Sequence, residues 1–223
     1  MTILSVHGLR GGGDQGTRHR SRNGENGRVH RGSELSADEI VAVLACGEAR
    51  PLSPDQPVTQ LEHALQTAAI LRRDHPDDVE LAVAGLVHDI GQLLPEARDE
   101  THAVEGAAAV RAALGKRVAG IVALHVEAKR YLVATDGNYK ERLAGDSVVS
   151  LGRQGGAFTS GEASAFLLRP WAGDAVTLRR ADDGGKVVRG LGVHALDQWV
   201  SLLREVSEKS GGAHRPPRDE RGN

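Results

Sequence analysis

Apolar residues between residues 36 and 208 recur at the three-to-four spacing of amphipathic helices. Ser36 precedes an acidic first turn and predicts a helix that runs to Cys46, followed by a loop with three prolines. Further helices are predicted at about 58–73, 77–94, 101–114 and 116–134, with weaker signals at 138–151, 160–168, 171–185 and 194–207. No segment shows a clean period-two alternation bounded by turns. The pattern therefore predicts an all-α fold, a single helical bundle.

The two ends of the chain differ from this helical region. Residues 1–34 contain three consecutive glycines and six arginines between Arg10 and Arg31, with almost nothing apolar after the ninth position. Such a segment cannot bury enough surface to offset its ordering entropy, so we expect a disordered tail. A nucleic-acid-binding arm is the alternative to a solvated tail or a misassigned start. Because residues 209–223 are equally polar, the domain is expected to span 35–208.

Composition narrows the class of protein. Of 223 residues, 39% are hydrophobic but only 3% aromatic, so the apolar mass is Ala, Val and Leu, which suits close-packed helices. A net charge of −2 argues against nucleic-acid or anionic-membrane partners. The single cysteine, Cys46, excludes intramolecular disulfides and cysteine-rich metal sites. With no long apolar run and no secretory signal pattern, a cytoplasmic protein is expected, its oligomeric state open.

Four histidines lie inside predicted helices among apolar neighbours. They are His63 in LEHALQ, His88 in GLVHDIG, His102 in THAVEG and His125 in VALHVEAKR. Burying an imidazole is costly unless it gains a partner, and a single one is usually a satisfied core residue. Four of them, together with Asp89 next to His88, favour a shared metal site.

The ligand types limit the metal. Neutral imidazole and carboxylate suit first-row metals such as iron or manganese, and no thiolate competes. Adjacent helical residues diverge by about 100°, so His88 and Asp89 would reach neighbouring points of one cluster, with Asp89 placed to bridge two ions. Asp182 in RRADDGGK is a further carboxylate ligand, or else a surface aspartate in a turn.

The order of these residues resembles the HD superfamily of metal-dependent helical proteins, and His102 with His125 marks its two-metal branch. Longer motifs are similar to the phosphonate-degrading HD-domain oxygenases, which include the 2-amino-1-hydroxyethylphosphonate dioxygenases and are distantly similar to myo-inositol oxygenase. These motifs are V-x-Q-L-E-H-A-L-Q (58–66), L-x-H-D-I-G-x-L-L (86–94), H-V-x-A-K-R-Y-L (125–132), S-L-x-x-Q-G-G (150–156) and L-R-R-x-D-D-x-x-K (178–186).

The resemblance implies a mixed-valent Fe(II)/Fe(III) site that uses O2 to oxidise a small hydroxylated organophosphonate. The carbon–phosphorus bond would be cleaved and phosphate released. It also implies a ligand set of His63, His88 and Asp182 for one iron, His102 and His125 for the other, and a bridging Asp89.

The resemblance further implies a substrate-binding role for Lys129. Lys129 lies four residues after His125, so its ammonium can share that helix face and bind a phosphonate dianion. The alternative is a surface lysine paired with Glu127 or Glu105. The candidate donors to the phosphonate are Ser147, Ser150 and Gln154, which spacing alone does not rank.

Three positions depart from the family pattern. Ser53 and Gln56 stand where the aminohydroxyethylphosphonate enzymes carry a tyrosine and a glutamate, although Asp55 could partly compensate. Gln92 replaces a phosphonate-contacting histidine and can donate a hydrogen bond but no charge. We therefore expect a different hydroxylated phosphonate, lacking an amine or carrying a quaternary one, or another small anionic alcohol.

Two other functions fit the same residues. An HD phosphohydrolase would use the metals to activate water against a small phosphate ester. A non-catalytic metal-binding module would retain the ligands without turnover. Dependence on O2 separates the oxygenase from the hydrolase, and metal content tests the module.

Overall fold

The computed structural model describes residues 34–54, 57–186 and 195–212, and the regular elements within these ranges are helices. They are α1 Ala37–Cys46, α2 Gln60–Asp74, α3 Val79–Val87, α4 Ile90–Leu93, α5 His102–Thr135, α6 Tyr139–Arg142, α7 Gly145–Arg153, α8 Ser160–Leu167, α9 Ala172–Gly184 and α10 Leu196–Gly212. A 3-10 turn, Gly47–Ala49, follows α1, and one isolated antiparallel bridge joins Pro51 to Thr59. The predicted all-α fold is confirmed.

Capping residues supplied by the sequence set several helix starts. Ser36 Oγ accepts the Glu39 N–H, and the Glu39 carboxylate accepts the Ser36 N–H at 2.8 Å. The same reciprocal pair occurs at Thr59 and Glu62 before α2, and Thr159 begins α8 in this way. Each box satisfies two N–H groups that a helix end leaves unpaired. The predicted N-cap at Ser36 is confirmed.

A glycine divides the long helix α5 where the sequence predicts a boundary. Gly115 has φ 82° and ψ 177°, outside the helical region, and separates 102–114 from 116–135. A positive φ is readily adopted by glycine because it has no Cβ. The prediction of two helices at 101–114 and 116–134 is therefore confirmed.

Two other predicted helices are each broken in the structure. The helix predicted over 77–94 ends at Val87 and restarts at Ile90, because Asp89 has φ −101° and ψ 12°. This break lets adjacent side chains turn toward one place, whereas a continuous helix would separate them by about 100°. The helix predicted over 138–151 is likewise split by extended backbone at Leu143 and Ala144.

The last helix extends beyond the expected boundary at residue 208. α10 continues to Gly212, and Lys209 Nζ lies 2.7 Å from Glu205 Oε1 one turn earlier. A lysine near a helix C-terminus is also favoured by the helix dipole. Of the tails predicted over 1–34 and 209–223, residues 1–33 and 213–223 lie outside the described residues, as do Asp55 and Gln56. Among the helices described, none has the length and apolarity that crossing a bilayer requires.

Helices α2, α3, α5, α9 and α10 enclose a core rich in alanine, valine and leucine. α2 and α3 approach closely at Gly85, where a Cβ would lie 2.5 Å from Leu71 Cδ1 and 3.4 Å from Ala68 Cα. The second half of α5 packs on α8 and α9 through residues that include Leu124, Phe166 and Ala175. This packing brings the end of α3 and both halves of α5 close to α2 and α9.

The short helix α4 meets the start of α5 through two glycines. A Cβ on Gly91 would lie 2.0 Å from the carbonyl oxygen of His102, and one on Gly106 would lie 2.9 Å from Gly91 N. Both obstacles are backbone atoms, which cannot move aside as a flexible side chain could. The contact therefore sets the position of the His102 backbone.

We expect Gly91→Ala to lower the free energy of unfolding by about 1–3 kcal/mol, because the new methyl overpacks this contact. Urea denaturation followed by circular dichroism measures the change. Gly161→Ala is the matched control, since Gly161 is helical and has no atom within 4 Å of an added Cβ. An unchanged urea midpoint for Gly91→Ala would show that α4 and α5 separate easily.

Candidate metal centre

The six residues predicted as ligands meet at one place in the core. They are His63 on α2, His88 and Asp89 at the break between α3 and α4, His102 and His125 on α5, and Asp182 on α9. Five of them are at most 3% exposed, and the Asp89 side chain is 20% exposed. The surface-aspartate alternative for Asp182 is therefore wrong.

Three of these side chains form a first ligand trio. His63 Nε2 lies 3.2 Å from His88 Nε2 and 3.2 Å from Asp182 Oδ1. His88 Nε2 lies 4.0 Å from Asp182 Oδ2. Two imidazole nitrogens and a carboxylate thus surround one point within ligand reach of all three.

The second trio contains Asp89, His102 and His125, and its carboxylate also faces the first trio. Asp89 Oδ1 lies 3.2 Å from His102 Nε2 and 3.5 Å from His125 Nε2, and these two nitrogens are 3.1 Å apart. Asp89 Oδ2 lies 3.5 Å from His88 Nε2 and 3.9 Å from His63 Nε2. Asp89 therefore directs one carboxylate oxygen toward each trio, which is the arrangement of a bridging ligand.

Backbone carbonyls orient all four imidazoles. In each ring Nδ1 contacts a carbonyl oxygen, and the pairs are His63 with Gly185 (2.9 Å), His88 with Gly85 (2.8 Å), His102 with Asp99 (2.7 Å) and His125 with Val122 (2.7 Å). A carbonyl only accepts, so Nδ1 carries the proton and donates. In a neutral ring this leaves the Nε2 lone pair directed at the centre, the usual outer arrangement of metal-ligating histidines.

The donor set of the centre requires a cation. Two pairs of Nε2 atoms face each other at 3.1 and 3.2 Å, and the neighbouring carboxylate oxygens are acceptors as well. Lone pairs at these distances repel unless a proton or a metal ion lies between them. The residues therefore fit two metal ions, one in each trio, and nitrogen with carboxylate ligands suits iron or manganese.

Burial and mutual charge set the protonation of the cluster. Burial lowers the pKa of His88 to about 4 and also lowers the pKa of His125. Burial would raise the pKa of Asp89, but the neighbouring imidazoles, His88 first, hold it well below its ordinary value. For His102, burial is outweighed by the hydrogen bond and charge of Asp89, so its pKa is raised. An ionised carboxylate and neutral rings are the forms that bind metal.

Two cations hold Asp182 ionised. Burial would raise the pKa of Asp182, but Arg179 and then Lys186 keep it well below its usual range. Arg179 Nη1 lies 2.5 Å from Asp182 Oδ2, and Lys186 Nζ lies 3.2 Å from Oδ1. Arg179 also binds the Asp183 carboxylate and donates from Nε to Tyr139 Oη at 3.1 Å.

A cavity of about 350 Å³ opens beside both trios. Lys129 lines it at 3% exposure, and its Nζ donates to Ser150 Oγ at 2.7 Å. No ion pair joins Lys129 to a carboxylate in the described part of the chain, and burial, then Arg179, lowers its pKa to about 8. Glu127 pairs instead with Arg169, and Glu105 pairs with Arg98, so the surface-lysine alternative is wrong.

The other predicted substrate contacts have different surroundings. Ser147 Oγ accepts from Lys186 Nζ at 3.0 Å, and Gln92 also lines the cavity. Ser53 lines it too, and its buried Oγ has no hydrogen-bond partner in the part of the chain that the structure describes. The Gln154 amide nitrogen contacts Asp99 twice, at 3.0 Å from its main-chain oxygen and at 3.2 Å from its Oδ1.

Sequence reasoning missed Lys186 and Arg179, both of which line the cavity. The spacing of Asp182 and Lys186, four residues apart, was the available signal for one of them. Arg179 had a comparable signal, because it precedes Asp182 by three residues and Asp183 by four.

Comparisons with known proteins agree with this geometry. The family model of myo-inositol oxygenase matches residues 48–116. The hydroxymethylphosphonate dioxygenase of Gimesia maris is 38% identical over 165 residues, covering 70% of this chain and 81% of that protein. The glycine-betaine-forming 1-hydroxy-2-(trimethylamino)ethylphosphonate dioxygenase of Leisingera caerulea is 34% identical over 168 residues, covering 71% and 84%. The probable inositol oxygenase of rice (Oryza sativa subsp. japonica) is 49% identical over 41 residues, 18% of this chain and 13% of that protein.

The chain belongs to the HD-domain phosphonate oxygenase family, which is related to inositol oxygenase. The resemblance expected from the sequence motifs is thereby confirmed. Membership of this family supports an oxygenase activity for the chain, which places it among the oxidoreductases.

We expect Arg179→Met to destabilise the metal-free oxygenase by about 3–5 kcal/mol, because it removes one of the two cations that hold the buried Asp182 carboxylate and also the cation paired with Asp183. Urea denaturation in the presence of a chelator measures this effect apart from metal binding. Arg180→Met is the control, since the Arg180 side chain is 54% exposed and its nearest carboxylate lies 3.8 Å away. Equal stability losses for the two variants would contradict a special role for Arg179.

Proposed function

We propose that the protein is a diiron oxygenase that uses O2 to oxidise a small hydroxylated organophosphonate, with cleavage of the carbon–phosphorus bond. One observation carries this proposal: the buried ammonium of Lys129 has no carboxylate partner in the described structure and faces the cavity beside two ligand trios. A buried cation is costly unless an anion joins it. A phosphonate dianion is such an anion.

The six clustered side chains would hold the metals in two sets. His63, His88 and Asp182 would bind one iron, His102 and His125 would bind the other, and Asp89 would bridge them. A mixed-valent Fe(II)/Fe(III) pair at this place supplies Lewis acidity for substrate oxygens and the electron transfer that O2 chemistry requires.

The protein's own residues would bind and orient the substrate. Lys129 attracts the phosphonate, and its ammonium keeps hydrogen atoms for a second acceptor while one goes to Ser150 Oγ. Lys186 and Ser147 lie at the same cavity and form a second polar pair. Burial of the trios lowers the local dielectric constant, which strengthens each of these charge interactions.

Two neutral residues that line the cavity favour a substrate without a primary amine. They are Ser53 and Gln60, and each carries a buried oxygen that has no hydrogen-bond partner among the described residues. The two phosphonate dioxygenases named above act, by their names, on phosphonates with no primary amine. We therefore propose hydroxymethylphosphonate and its neutral or quaternary-ammonium homologues as the first substrates to test.

We expect the iron-loaded protein to release one phosphate for each O2 consumed, without an added reductant. A hydroxyphosphonate and O2 together contain all the atoms of phosphate and a carboxylic acid, and the carbon supplies the four electrons that O2 accepts. Phosphate assay and an oxygen electrode measure the ratio. Anaerobic incubation is the control and should stop phosphate release.

Two outcomes would contradict this proposal. Phosphate release from a small phosphate ester that continues without O2 would favour the HD phosphohydrolase. Failure to turn over any hydroxyphosphonate, together with less than one iron per chain, would favour the non-catalytic metal-binding module.

We expect His102→Ala to bind one iron where the wild-type protein binds two, and to lose oxidation of the phosphonate. The substitution removes a ligand of one trio and leaves the other trio unchanged. Inductively coupled plasma analysis of dialysed protein counts the metal, and circular dichroism checks the fold. His75→Ala is the control, because His75 is an exposed helix cap outside both trios. Oxidation retained with a single iron would contradict the two-metal assignment.

A further inference from the structure

The carbonyls that orient the four histidines are not equally well held. His88 donates to the carbonyl of Gly85 in α3, and His125 donates to the carbonyl of Val122 in α5. Both carbonyls belong to helical backbone, which fixes their direction. The carbonyl that accepts from His102 belongs to Asp99, in the loop between α4 and α5. A loop carbonyl needs another contact to keep its direction.

Gln154 supplies that contact. Its Nε2 lies 3.0 Å from the Asp99 carbonyl oxygen and 3.2 Å from Asp99 Oδ1. The same carbonyl oxygen accepts from His102 Nδ1 at 2.7 Å, so both of its acceptor sites are used. Arg153 adds a contact from Nε to Asp99 Oδ2 at 3.2 Å, but its side chain is 56% exposed.

The turn that carries Gln154 is itself held against α5. Gly155 and Gly156 have φ of 97° and 71°, the left-handed region that favours glycine. Arg130 on α5 donates from Nε to the Gly156 carbonyl at 2.8 Å and from Nη2 to the Gly155 carbonyl at 3.2 Å. Its guanidinium also lies 4.4 Å from the centre of the Phe158 ring. The turn therefore presents the Gln154 amide from a rigid base.

We propose that Gln154 is a positioning residue for the metal ligand His102, acting through the Asp99 carbonyl that both side chains share. Its amide hydrogens are directed at Asp99, so they are not free to donate to a phosphonate in the cavity. Without the amide, the Asp99 carbonyl loses its fixed direction and the His102 ring loses its orientation. The inference rests on the two-metal site of the proposed function.

Loss of the direct partner of a metal-ligating histidine typically weakens metal binding about 10- to 100-fold, which sets the scale for an effect transmitted through the Asp99 carbonyl. The effect should fall on one metal ion only. The rings of the first trio, His63 and His88, are oriented by the carbonyls of Gly185 and Gly85, whereas the Gln154 amide donates to Asp99.

The test is a Mn(II) titration of the metal-free full-length protein, with bound and free ions separated by electron paramagnetic resonance. We expect the wild-type chain to bind two ions and Gln154→Met to bind one of them about 10- to 100-fold more weakly. Gln154→Ala is a second variant, which removes the amide without adding a longer apolar side chain. Thermal denaturation establishes that each variant is folded.

Ser150→Ala is the matched control from the same helix, α7. It removes the hydroxyl that contacts Lys129 and should raise the KM for the phosphonate while both Mn(II) affinities stay unchanged. At saturating metal, the Gln154 variants should show the wild-type KM within about twofold.

Two results would overturn the inference in distinguishable ways. If both Gln154 variants bind two Mn(II) ions with wild-type affinity but show a raised KM, Gln154 donates to the substrate. That result refutes the positioning role and leaves the two-metal site standing. Fewer than two ions on the wild-type protein would refute the two-metal site itself and, with it, the positioning role.

Discussion

The hydrogen bond from each histidine Nδ1 to a backbone carbonyl is the interaction on which the centre depends. A free imidazole can exchange tautomers and rotate, so four buried rings would not by themselves form a ligand set. The carbonyls of Gly85, Asp99, Val122 and Gly185 remove this freedom and turn every Nε2 lone pair inward. The resulting arrangement is unfavourable unless a proton or a metal ion lies between the facing nitrogens, which is the physical reason that the centre fits metal.

The buried charged groups around the centre differ in whether they have a partner of opposite charge. Arg179 and Lys186 neutralise Asp182, whereas in the described part of the chain Lys129 pairs only with the neutral Ser150. The metal-ligand carboxylates Asp89 and Asp182 and the Lys129 ammonium therefore line the same cavity. A small molecule that offers oxygen ligands to metal and an anionic group to Lys129 complements both features, and a hydroxyphosphonate has both.

The break between α3 and α4 shows how a local departure from regular structure creates function. His88 and Asp89 are adjacent in the chain, and the periodic pattern predicts a continuous helix there. Helix propensity is a weak preference, which tertiary contacts override. With the helix interrupted, His88 joins one trio while Asp89 reaches both. The close approach of Gly91 to His102 holds the restarted helix against α5.

The sequence by itself determined the helical class, the division of α5 at Gly115 and the six side chains that cluster, because these depend on local periodicity, glycine conformation and motif order. The family resemblance also implied how the six divide into two trios. Only the tertiary structure decided that Lys186 joins the cavity and that Gln154 contacts Asp99. Spacing along a helix specifies a direction around its axis, but the distance between residues on different helices depends on how those helices pack.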